Sequence, residues 1–67
     1  MSAEYYKKRI LECANSAKDF ELKAENEMKS GSDAQATEYM RLADMENINV
    51  RNYREGLQSM TKEGAAL

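Results

Sequence analysis

The chain has no histidine, no proline and no tryptophan, and its single cysteine is Cys13. With one thiol no intrachain disulfide can form. Without histidine the commonest metal ligand is missing. Without proline, nothing in the chain forbids long helices. Glycine is confined to Gly31, Gly56 and Gly64. No apolar run approaches the length that a membrane span needs. The opening Met1-Ser2-Ala3-Glu4 leads into no apolar leader segment. With the lone thiol, this sets a cytoplasmic location as the expectation.

At 67 residues the chain makes one domain at most. So short a chain buries a modest fraction of its surface, and small domains compensate with disulfides, metals or association. The first two routes are closed, so association is expected. Ten basic and twelve acidic residues leave a net charge of -2. A general nucleic-acid binder shows a clear basic excess, and an acidic mimic of DNA would show the reverse. Alanine, glutamate, lysine and methionine are plentiful, all good helix formers.

The first helix is expected over residues 2–30, with Ser2 as its N-cap. Ala3, Tyr6, Ile10, Cys13, Ala17, Phe20 and Ala24 recur at alternating steps of three and four, an a/d heptad seam. Met28 continues the seam less regularly. Glu4-Lys8, Lys8-Glu12, Asp19-Lys23, Lys23-Glu27 and Glu25-Lys29 stand four apart and mark a solvated face. Leu11 and Leu22 fall on another face, as scattered surface leucines or as a second contact stripe.

A stop signal and a start signal then follow directly. Gly31 stands where a helix ends in a left-handed residue, and Lys29 suits the negative end of the dipole. Ser32 with Gln35 three residues later makes a capping box for the next helix. The turn is placed at 30–33, the second helix at 33–62 and a frayed tail at 63–67. The second seam reads Ala36, Tyr39, Ala43, Glu46, Val50, Tyr53, Leu57 and Met60. Folding back at Gly31 sets Tyr6 against Leu57, Cys13 against Val50, Phe20 against Ala43 and Ala24 against Tyr39. Large faces small, as dense packing needs. The predicted fold is all-α: an antiparallel two-helix hairpin with a coiled-coil-like seam, completing a helical bundle by association.

Glu46 is the polar member of the seam. Either the small Ala17 opposite lets its carboxylate reach solvent, or it fixes register or pairs with a partner's base. Met40, Met45 and Ile48 lie off the seam, with Leu42 on its flank. Methionine is adaptable and common at binding surfaces. A hairpin buries only one face of each helix, so Leu11, Leu22, Met40, Met45 and Ile48 are the candidate partner-binding residues. Gly56 either admits a close neighbour or marks a weak last turn.

Catalytic chemistry has no foothold. Glu46 lacks a second acid or a histidine, and Cys13 on the seam reads as a small buried group. No cofactor, metal or small-molecule substrate is implied. Lys7, Lys8 and Arg9, with Arg51 and Arg54 folded beside them, form the one basic concentration. It is either a phosphate-binding contact or a solvated surface diluted by Glu4, Glu12 and Glu55.

The length, the paired heptads and the turn Lys29-Ser30-Gly31-Ser32-Asp33-Ala34 resemble the small two-helix co-chaperones that protect needle subunits of type III secretion. That resemblance implies a cytoplasmic hairpin that binds a larger helical chaperone and helps hold the needle subunit before export. The leading expectation is a non-enzymatic protein–protein interaction module, a small chaperone, adaptor or regulator joining a helical partner or itself. The alternative is a dimeric RNA- or DNA-binding regulator, with the basic residues of two copies on one face. A purely structural oligomerisation piece is a third reading.

Overall fold

A computed structural model describes the backbone of residues 2–66 and the side chains of residues 2–60. Two helices fill it, α1 over Ala3–Lys29 and α2 over Asp33–Ala66. They fold back on one another into an antiparallel hairpin of 55 × 14 × 13 Å. The all-α hairpin expected from the two heptads is the observed fold.

The caps explain where the helices begin and end. Ser2 has extended backbone, and its hydroxyl accepts from the Tyr5 amide at 3.2 Å, satisfying one of the first-turn donors. At the other end Ser30 is the last helical-like residue and Gly31 takes φ +84°. The Gly31 amide donates to the Met28 carbonyl at 3.1 Å, and the Ser32 amide reaches back to Glu27 at 2.8 Å. This pair of bonds is a Schellman closure. The Ser32 carbonyl then accepts from the Ala36 amide at 3.0 Å, as the residue before a helix does. Ser32 thus ends one helix and starts the next, which leaves no slack in the turn.

Between the helices, the buried apolar residues are Cys13, Ala17, Ala24, Ala36, Ala43 and Val50. Every one is a seam position, and every one is small. Phe20, Tyr39, Tyr6 and Tyr53 are only partly buried. The rings also meet one another across the two helices. Phe20 stacks on Tyr39 with ring centres 6.3 Å apart, and Tyr6 and Tyr53 lie 6.2 Å apart. Small side chains let the two backbones approach closely.

Gly56 serves a similar approach. A β-carbon there would sit 2.8 Å from Cε1 of Tyr6, so the ring occupies the space a side chain would need. Of the two readings of this glycine, close contact is the one observed, and α2 continues past it. That helix extends to Ala66, beyond the end expected at 62. Ala65 and Ala66 are the best helix formers, and no proline intervenes; Leu67 lies outside the described residues.

Glu46 is half-buried and accepts from the Asn49 amide nitrogen at 2.9 Å. Its carboxylate is satisfied within its own helix. The ion pairs among the described residues are Arg9–Glu12 and Glu38–Arg41, both three apart. They replace the four-apart pairs expected from the sequence. Lys23 instead lies over the Phe20 and Tyr39 rings, 5.7 and 5.9 Å from their centres. An ammonium above stacked rings gains cation–π attraction, and its stem covers apolar surface.

Gly31 gives a clean test of the turn. Nothing lies within 4 Å of where its β-carbon would be, so replacement costs only backbone strain. Gly31→Ala is expected to lower stability by about 1–2 kcal/mol, the cost of a left-handed L-residue. A synthetic chain carrying D-alanine there should lose nothing, with urea unfolding as the readout.

Candidate interaction surface

Among the described residues, seven large apolar side chains remain exposed: Tyr5, Leu11, Leu22, Met28, Met40, Met45 and Ile48. All five candidate partner-binding residues are among them, between 41% and 63% exposed. The fold does not gather all of these. Leu22 and Met40 line one hollow together with Met28, Lys18, Glu21 and Glu25. A second hollow adjoins it at the turn, lined by Met28, Met40, Ala36, Thr37 and Asp33. Leu22, Met28 and Met40 therefore make one apolar groove at the turn end of the hairpin. Leu11 lies outside it, three turns from Leu22 along the same face of α1. Met45 and Ile48, three apart on α2 and so on a common face, also lie outside it.

Met28 was legible as apolar but misplaced. The seam steps from Ala24 by three to Glu27, not by four to Met28. One residue is about 100° of rotation, and that turns Met28 out of the seam and beside Met40. Strict counting of the heptad would have found it.

Along the same face the groove becomes polar towards the open end. Lys18 and Glu21 also border a hollow with Ala14, Asn15, Ala17, Asn47, Val50 and Arg54. Arg54 and Val50 in turn border another with Arg51, Glu55 and Gln58. Arg9 is engaged elsewhere. Its guanidinium donates to Glu12 at 3.0 Å and to the Tyr53 hydroxyl at 3.4 Å, and stands 5.4 Å from the Tyr53 ring centre. With Arg9 held by Tyr53 and the other two arginines in the hollow at the open end, Lys7, Lys8, Arg9, Arg51 and Arg54 do not make one patch within a single chain.

Tyr5, Tyr6 and Tyr53 close the open end with edge-on and tilted ring contacts at 5.9–6.2 Å. The hydrogen bond from Arg9, and then that from the Tyr5 hydroxyl, hold the Tyr53 phenol below its ordinary value. Donation to Tyr53 pushes Tyr5 the other way. Sequence reasoning placed these tyrosines near the basic run without foreseeing that they would absorb Arg9. Cys13 is buried, as its seam position implied.

No helix among the described residues is long and apolar enough to cross a membrane. Groups of three or more histidine, cysteine, aspartate or glutamate side chains able to hold a metal are absent among the described residues.

Alkaline titration tests the tyrosine cluster. Tyr53 should ionise before Tyr5, followed by phenolate absorbance, and Arg9→Gln should move the Tyr53 ionisation up towards 10.0, the ordinary value. The sign for stability follows. A depressed Tyr53 contributes stability above its unfolded value, lost as pH falls through its folded value; a raised Tyr5 contributes below its unfolded value, lost as pH rises through its own. Removing Arg9 deletes the first contribution, so the variant should lose stability more steeply with rising alkaline pH.

Comparison with known protein families, curated proteins and solved structures finds no match to this chain.

Proposed function

We propose that this chain is a non-enzymatic protein–protein interaction module that joins a helical partner, a second copy or another protein, through apolar groups left outside its seam. The observation that carries this reading is the exposed surface. Leu22, Met28 and Met40 remain between 41% and 54% exposed and line one groove. Covering what is left of each is worth roughly half of the 1.5–3 kcal/mol gained by burying such a side chain fully.

The resemblance of length, seam and turn to needle co-chaperones supports a holding role toward a helical partner, as a small chaperone, adaptor or regulator in the cytoplasm. A nucleic-acid role would need Arg51 and Arg54 of two copies to converge on one face, and no observation favours it.

The test pairs the native chain with a Leu22→Gln/Met40→Gln variant as bait in a host extract, beside sedimentation of each alone. The variant should keep its helicity and lose whatever protein, or second copy, the native chain holds. Identical recovery with both baits, or a monomer that retains nothing, contradicts the proposal. Binding to RNA or DNA that weakens steeply with salt would transfer the reading to the nucleic-acid alternative.

A further inference from the structure

The groove at the turn end has a chemistry of its own, and it narrows the partner. It is lined by Leu22, Met28, Met40 and Ala36, and among its charged lining residues Glu21, Glu25 and Asp33 outnumber the cation Lys18. None of these three carboxylates is in either ion pair found among the described residues, Arg9–Glu12 and Glu38–Arg41. An apolar lining of two methionines and a leucine with an excess of carboxylates is complementary to a helix that carries both apolar and cationic side chains. We infer that the groove takes a basic amphipathic helix of another protein, with its apolar side chains on Leu22, Met28 and Met40 and its lysines or arginines facing Glu21, Glu25 and Asp33. This rests on the interaction-module reading and names the chemistry of the partner.

A second copy fits the groove less well in either orientation. Laid turn to turn, two copies would bring the apolar lining of one onto that of the other, but carboxylates towards carboxylates. Laid end to end, the carboxylates of each copy would approach Arg51 and Arg54 of the other, which border the open-end hollow with Glu55, Gln58 and Asn47. The apolar lining would then cover that polar end. Each arrangement satisfies one requirement and violates the other. A basic amphipathic helix satisfies both, by the helix-in-groove mode in which anchors recur every three to four residues. Methionine supplies the adaptability such a groove needs, since its unbranched chain reshapes to the anchor it meets.

The experiment uses the full chain and two designed helical peptides of about 18 residues, five turns. Their leucine stripes are identical; one carries lysine and the other glutamate on the flanks. Titration calorimetry at low salt should give binding of the lysine peptide at least about tenfold tighter than the glutamate peptide, about 1.4 kcal/mol. That preference should shrink as salt screens it. Glu21→Lys/Glu25→Lys should reverse the order, and Leu22→Gln/Met40→Gln should weaken the lysine peptide at unchanged helicity. Equal affinities, or preference for the glutamate peptide, overturn the charge selection. Failure of the lysine peptide to bind overturns the inference. If the Leu22→Gln/Met40→Gln bait still loses a native partner in that case, the interaction module survives and only the partner's chemistry was wrong. A native chain that dimerises through this groove, with the dimer lost in the same variant, makes the occupant a second copy and also overturns it.

Discussion

The close approach of two backbones over small side chains is the constraint from which the rest of this structure follows. Ala17, Ala24, Ala36 and Ala43 are buried almost completely, with Cys13 and Val50 beside them. A seam of that kind brings the helices together along their length, and its larger members, Tyr6, Ile10, Phe20, Tyr39, Tyr53 and Leu57, are only half-buried. Phe20, Tyr39, Tyr6 and Tyr53 pair with one another and receive Lys23 and Arg9. The usual ranking of residues by burial is thus inverted. Four alanines are fully inside while Leu11 and Leu22 are outside, because the hairpin has only one narrow interior.

The turn makes that approach possible in one register. Gly31 in the left-handed region, the two reaching amides and the double use of Ser32 close the chain within three residues, Ser30 to Ser32. A slack loop would allow the helices to slide by a turn, and the alanines would lose their match. Gly56 applies the same logic at the open end, since its bare α-carbon accepts the Tyr6 ring. What the narrow interior leaves over is then disposed of in two ways. At the open end, rings and Arg9 satisfy one another within the chain. At the turn end, Leu22, Met28 and Met40 have no such answer.

Much of this was legible in the residues. Heptad spacing at Ala3 to Ala24 and again at Ala36 to Met60 fixed two helices, and Ser30-Gly31-Ser32 placed the turn, because backbone geometry depends on local sequence. The burial of Cys13 followed from its phase alone. The groove was legible only in part. Leu22 and Met40 stood out as apolar residues off the seam, yet their union with Met28 depends on how two helices lie side by side, which no single helix encodes. Leu11, Met45 and Ile48 met the same criterion and lie elsewhere. The capture of Arg9 by Tyr53 and of Lys23 by the Phe20–Tyr39 pair was hidden for a related reason. Charge spacing along one helix suggests partners on that helix, while long cationic side chains reach across to the rings of the other.

One comparison tests the central claim that the seam alanines hold the hairpin together and Leu22 does not. Urea unfolding would be measured for Ala43→Leu and for Leu22→Gln beside the native chain. Overfilling a close-packed site costs about 1–3 kcal/mol, whereas a surface exchange stays within about 0.5 kcal/mol. The account predicts a clear loss for Ala43→Leu and almost none for Leu22→Gln. A stabilised Ala43→Leu together with a destabilised Leu22→Gln would contradict it, because Leu22 would then belong inside this fold and Ala43 would be a defect in it.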